Sequence, residues 1–204
     1  MTDSRIIEKA KEVWEIESQA IKQLIDRVDY ESFIKVVHLL SSHKGRVITC
    51  GVGTSGVAAR KGAHTLSCVN ISTLFLNPAD AVHGALGVVQ KGDIVFLLSK
   101  GGGSKEIVQL ISPLKEKGAT IIAITENQES QLAKESDIIL SVKVEKEADS
   151  FNMLATSSTL AVIAMFDALS VSVMELTHYS KEQFAVIHPS GAVGQRLLKK
   201  DELI

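Results

Sequence analysis

The sequence predicts an α/β fold: a doubly wound, five-stranded parallel sheet flanked by helices, with further helices at the N-terminus. Three observations carry that prediction. Short apolar runs alternate with helical patterns at a regular pitch, as in a series of strand–helix–strand units. Two of the runs, DIVFLL and TIIAIT, are continuously apolar, as strands covered on both faces are. Two glycine-rich stretches, Gly51–Gly56 and Ser99–Ser104, each follow a β-rich run, which is where such sheets place their ligand loops.

The elements follow in order. Between residues 4 and 28, Ile6, Ile7, Ala10, Val13, Trp14, Ala20, Ile21, Leu24, Ile25 and Val28 recur at helical spacing and predict one amphipathic helix. A second helix covers Tyr30–Ser41. The run Arg46–Cys50 is the first strand, stopping at Gly51, and Ser55–Ser67 is a helix. Ser72–Leu76 is the next strand, and His83–Val88 a loop or turn. Asp93–Leu98 is a strand and Glu106–Lys117 a helix, closed by Gly118. Thr120–Thr125 is a strand, Gln131–Glu135 a short helix and Ile138–Val144 the fifth strand. Thr156–Tyr179 is a long helix whose first residues, Thr156-Ser157-Ser158, offer capping hydroxyls. With no repeat, low-complexity stretch or linker, residues 1–204 read as one domain. Residues 1–44 form a helical segment packed on that domain or on a partner subunit.

Composition narrows the function. With 204 residues, 45% of them apolar, the chain is long enough to bury a sizeable core. A net charge of -2 leaves no basic excess for a phosphate backbone, so a nucleic-acid partner is not expected. The six histidines show no metal-ligand spacing; neither a metal nor a cofactor is expected. Cys50 and Cys68 are too few for a disulfide framework and read as small buried hydrophobes. The N-terminus lacks an apolar signal core. The most apolar stretch, Leu160–Leu176, is broken by Asp167 and reads as too short to span a membrane. A cytoplasmic protein is expected.

The loops carry the chemistry. Gly51-Val52-Gly53-Thr54-Ser55-Gly56 joins a strand to a helix, where free N–H groups suit an anion. It is formally a GxGxxG, so a dinucleotide site is one reading. That reading needs an acid about 20 residues on, and Asp80 is a poor match. A tight turn with no ligand is the plain alternative. Ser99-Lys100-Gly101-Gly102-Gly103-Ser104 is a second strand-to-helix loop, able to form a backbone nest. Lys100 adds charge, or is simply a solvated turn residue. Two such loops suit a single phosphoryl group on a small molecule better than a dinucleotide.

These loops, together with Asn77–Gly87 (NPADAVHGALG), Val144–Ala148 (VEKEA), Ala155–Thr159 (ATSST) and Phe184–Leu198 (with HPSGAVGQRLL), make the chain resemble the sugar isomerase (SIS) domain. Within it, the resemblance is to the arabinose-5-phosphate isomerases, and it covers about Gly45 to Leu198. It implies aldose–ketose isomerisation of a sugar phosphate through an enediol. The implied acid/base groups are Glu147, His188 and Glu106, with His83 near the site. Glu147 is expected to have a raised pKa and act as base. The implied phosphate site draws on Gly53, Thr54, Ser55, Ser99, Lys100, Gly101, Gly102 and Ser104, with Thr156 and Ser157 assisting. Homodimers or homotetramers with shared sites are implied. Full-length relatives often carry a CBS pair, which is not read in these 204 residues. Thr54 stands where these isomerases usually have lysine, so a non-catalytic phosphosugar sensor on the same fold is the alternative.

Overall fold

Alternation along the strands builds two cores, one on each side of a single sheet. The structure is a computed structural model that describes residues 2–190 and 194. The strands are β1 (Val47–Gly51), β2 (Thr73–Phe75), β3 (Ile94–Leu98), β4 (Thr120–Thr125) and β5 (Ile138–Ser141). All pair in parallel in the order β2-β1-β3-β4-β5, with Val47 opposite both Thr73 and Ile94, Ile94 opposite Thr120, and Ile122 opposite Ile138. Side chains of a strand point alternately to opposite faces. Val47, Ile94, Phe96, Leu98, Ile122 and Ile124 therefore enter one core, and Ile48, Cys50, Val95, Leu97, Ile121 and Ala123 the other.

The first core is closed by α1 (Asp3–Lys22), α3 (Tyr30–Ser42), α4 (Gly53–Cys68) and α9 (Ser157–Thr177). The second is closed by α5 (Pro78–Ala81), α6 (Lys105–Val108), α7 (Ile111–Glu116) and α8 (Gln131–Glu135). The remaining helices are α2 (Leu24–Arg27) and α10 (Lys181–Ile187), and a 3-10 turn spans Ala85–Val88. The sheet order reverses between β1 and β3. Both glycine loops leave strands at that reversal, on the carboxyl edge where ligands of such sheets bind.

The five-stranded parallel sheet agrees with the sequence prediction; several boundaries do not. The expected helix over 4–28 is interrupted at Gln23, where the chain tightens and the Asp26 N–H reaches Gln23 O at 3.3 Å. The expected helix over Glu106–Lys117 is two helices. Pro113 has no N–H to donate to Gln109, and its ring would crowd that carbonyl; the chain turns there, with the Leu110 N–H on Ile107 O at 3.1 Å. The fifth strand ends at Ser141 rather than Val144, although Val142 and Val144 stay buried. The sequence reading assigned no helix to Lys181–Ile187, yet Ser180 and Gln183 form a capping box there.

The apolar C-terminal helix also corrects an expectation. At 21 residues α9 is long and apolar enough to cross a membrane by length and composition. Packing shows its use here: it lies against α1, α3 and α4, with Ala161, Met165, Phe166, Leu169 and Val173 buried. Phe166 meets Phe96 of the central strand with ring centres 5.3 Å apart. Cys50 is fully buried in β1, and burial pushes its thiol up to about 12; Cys68 is only partly covered.

Candidate active site

The first loop is tight because two glycines touch. A Cβ on Gly51 would lie 2.7 Å from Ser55 O, and one on Gly56 would lie 2.7 Å from Gly51 O. Only bare backbone allows the end of β1 to approach the start of α4 so closely. Thr54 and Ser55 are thereby held in the first turn of α4, beside the second loop.

The second loop is fixed from below. Gly102 has φ +69°, and a Cβ there would overlap the Ser130 side chain. Ser99 is buried; its Oγ accepts the Gly102 N–H at 3.1 Å and lies 3.0 Å from Ser104 Oγ. Thr125 Oγ1 and the Glu126 N–H both donate to Lys100 O, at 2.8 and 2.9 Å. The N–H groups of Gly101, Gly103 and Ser104 make no hydrogen bond among the described residues. They are available to an anion.

Between the loops lies an inner cleft of about 50 Å³, lined by Thr54, Ser55, Ser99, Lys100, Glu126, Ser158 and Thr159 over an apolar floor of Ala58, Leu98 and Ile124. It adjoins an outer recess of about 360 Å³ that shares Lys100 and Glu126 and adds Asn127, Lys143, Lys146 and Asn152. On the opposite side of the first loop, a cleft of about 420 Å³ is lined by Gly53, Arg60, Phe75, Asn77 and Glu106.

Glu147 stands behind the inner cleft, 2% exposed. Burial by itself would raise its pKa. Hydrogen bonds outweigh that and hold the carboxyl down to about 2. Lys100 Nζ donates to Oε1 at 2.7 Å, and Ser158 Oγ donates to the same oxygen. Oε2 accepts the N–H groups of Thr156 and Ser158 at 3.0 and 3.1 Å and Thr156 Oγ1 at 3.3 Å. The expectation of a raised pKa is therefore wrong: sequence showed an acid just past a strand but not the donors that converge on it. An anion so fully hydrogen-bonded is a weak proton acceptor. What it does is fix the Lys100 ammonium on the cleft wall.

Other expected residues separate into groups. Thr54, Ser55, Ser99 and Lys100 meet at the inner cleft. Gly53 lines the neighbouring cleft with Glu106, which is exposed. Thr156 does not offer a free hydroxyl: its Oγ1 accepts the Ala148 N–H at 2.9 Å while donating to Glu147. The Ser157 hydroxyl is fully buried and has no partner among the described residues. The helix start thus presents Ser158 and Thr159 to the cleft, slightly later in the chain than expected.

The two histidines lie apart. His83 is exposed on the turn after α5, its N–H on Asp80 O at 3.0 Å. His188 ends α10. Its ring stacks on Phe184 at 3.9 Å, and its Nδ1 lies 3.0 Å from Phe184 O, which accepts the proton. Neither lines the inner cleft. Of the expected tail motif, Gly191–Leu198 lies outside the described residues except for Gly194, where a Cβ would overlap His188 O. Among the described residues, no group of three or more His, Cys, Asp or Glu could hold a metal.

Sequence reasoning missed Glu126, Ser158 and Thr159. Glu126 had no motif around it; its only signal was its place just past a buried strand.

Comparison with known proteins follows the same line. Residues 39–172 match the SIS domain model. Arabinose 5-phosphate isomerase KdsD of Pseudomonas aeruginosa is 39% identical over 196 residues, covering 96% of this chain and 60% of that protein. Arabinose 5-phosphate isomerase KpsF of Escherichia coli is 34% identical over 198 residues, covering 97% of this chain and 61% of that protein. The chain thus spans about three fifths of the length of these curated relatives. A solved structure from Listeria monocytogenes, named provisionally as a sugar-phosphate isomerase, superposes with a TM-score of 0.92 at 47% identity. It covers 93% of this chain and 100% of its own. A structure of an Escherichia coli CFT073 protein in complex with arabinose 5-phosphate superposes with a TM-score of 0.89 at 32% identity, with the same coverage. Five parallel strands, two loops meeting at the sheet reversal and these matches together establish that the chain belongs to the SIS domain family.

Proposed function

We propose that the chain is an aldose–ketose sugar-phosphate isomerase acting on arabinose 5-phosphate or a close pentose phosphate. The observation that carries this reading is the cleft at the sheet reversal, where the hydroxyl-bearing Thr54, Ser55 and Ser99 of two loops meet a lysine pinned by a buried carboxylate. Its relatives bear the name of that activity, and a similar structure holds arabinose 5-phosphate.

In this reading Ser55, Ser99, Ser104 and the N–H groups of the second loop anchor the phosphate, which holds the sugar in register. The phosphate takes the inner cleft, whose size is that of a few water molecules. The sugar extends into the outer recess. Lys100 faces the carbonyl or hydroxyl oxygen on which negative charge grows in the enediol. The C2–H bond breaks to a base, its electron pair forms the enediol, and a proton returns at C1. Glu147 keeps Lys100 charged and placed, and is not the base. His188, His83 and Glu106 remain the proposed acid/base groups; since none of them lines the inner cleft or the outer recess of its own subunit, they are proposed to act in a site completed by a second copy.

The subunit is proposed to work as a homodimer or homotetramer with shared sites. Uncovered apolar side chains support this. Ile6, Ile7 and Trp14 on α1 are exposed, as are Phe151, Met153 and Leu154 in the loop that follows Glu147. Among the described residues none of α10 is fully buried, and Val186 is 77% exposed beside His188. The phosphorylated ligand carries charge that keeps it from crossing a bilayer, which fits a cytoplasmic location.

NMR with arabinose 5-phosphate in deuterated water tests the reading. Ribulose 5-phosphate labelled at C1, with slow exchange at C2 of the aldose, is expected. Stabilisation by sugar phosphates with no exchange would instead make the protein a sensor. Thr54, a neutral side chain on the first loop, is the feature that favours this second reading.

A further inference from the structure

Glu126 is a half-buried acid in an unusual position. It follows β4 directly, and its backbone is fastened to the second loop through the hydrogen bond to Lys100 O. It lines both the inner cleft, with Thr54, Ser55 and Lys100, and the outer recess, with Lys143 and Lys146. It therefore stands at the waist between the two. Lys100 is committed to Glu147. Glu126 itself makes no side-chain hydrogen bond or ion pair among the described residues, although three lysines line the same surfaces. Glu147 is the contrast: it is saturated with donors, Lys100 among them, and lies outside the cleft lining.

We propose that Glu126 is a substrate-contacting, specificity-determining residue that accepts hydrogen bonds from the hydroxyl groups of a sugar monophosphate and excludes ligands with a second anionic group. The inference rests on the proposed cleft but not on turnover. A carboxylate accepts hydrogen bonds and cannot donate them. At the waist it meets whatever part of the ligand leaves the phosphate seat. Sugar hydroxyls satisfy it; a carboxylate or second phosphate at that point faces a like charge across a poorly solvated gap. Rejection of the wrong ligand by an unfavourable contact is a direct route to selectivity.

The test compares the full chain with its Glu126→Gln variant, which keeps shape and removes charge. Affinities are measured calorimetrically for inorganic phosphate, for glycerol 3-phosphate (neutral apart from its phosphate) and for 3-phosphoglycerate (a carboxylate within three carbons of the phosphate, short enough to stay at the waist). The wild-type protein is expected to prefer glycerol 3-phosphate to 3-phosphoglycerate by at least about tenfold. In the variant that ratio falls by about tenfold while the melting temperature stays unchanged, showing that the fold is intact. An unaltered ratio in a variant that melts as the wild type does overturns the proposal, as does a wild-type protein that binds neither organic phosphate. If the wild type binds with the expected ratio but gives no deuterium exchange, the isomerase reading fails and the role of Glu126 stands.

Discussion

At Glu147, burial and hydrogen bonding act in opposite directions on one carboxyl group, and the second wins. The consequence is a stability that depends on acid pH. Folding lowers the pKa from 4.5 to about 2, so the stabilisation is present above pH 4.5 and is lost as pH falls towards 2. The shift corresponds to about 3 kcal/mol, less whatever solvent takes from the half-exposed Lys100. Glu147→Gln is expected to lower unfolding stability by about 2–3 kcal/mol at pH 7 and to flatten the loss below pH 4.5. Urea titrations of both proteins across that range measure it. The residue was legible in sequence only through its family pattern, and the direction of its pKa shift was misread. Its donors come from Thr156 and Ser158, nine and eleven positions on, and no local pattern announces that a helix start folds back onto an acid. Lys100 was legible as a charge in a loop; its partner was not.

Among the elements, the loops were easier to read than the helix breaks. Glycine spacing located both turns, since bare backbone is required where Gly51 meets Gly56 and where Gly102 passes Ser130. Gly102→Ala is expected to cost about 2 kcal/mol or more, through an unfavourable φ and the overlap with Ser130. Weakened phosphate binding should accompany a lower melting temperature, by calorimetry on the same sample. The break at Gln23 has no breaker residue to mark it, whereas Pro113 marked the break before it and was passed over. Helix α10 has no fully buried residue among those described, so its capped start matters to it. Ser180→Ala removes the capping box and is expected to cost that helix about 1 kcal/mol. Amide exchange should speed up across Lys181–Ile187 while the global melting temperature stays fixed; a fall in global stability would show that α10 is packed after all.

For the whole molecule, periodicity and strand composition were enough to foresee a doubly wound sheet, because the central strands are covered on both faces and so read as apolar throughout. Strand order was not legible: apolar runs state that a strand is buried, not which neighbour it pairs with. Assembly is the property the single chain shows least and implies most. Trp14 is 65% exposed and Phe151 77%, a poor arrangement for a monomer in water. Sedimentation velocity is expected to give a dimer or tetramer, and Trp14→Glu to shift it towards smaller species; a wild-type monomer at micromolar concentration would refute the shared-site reading. One feature of the central strand extends to practice. Cys50, sealed in β1 with its thiol pushed up to about 12, is inert to alkylating reagents while the sheet is closed, since the thiolate is the reacting species. Cys68, only partly covered, is expected to take the first equivalent of label in the folded protein. The chain therefore carries a built-in clock: the rate at which the second equivalent of label enters reports how fast molecules first open the sheet.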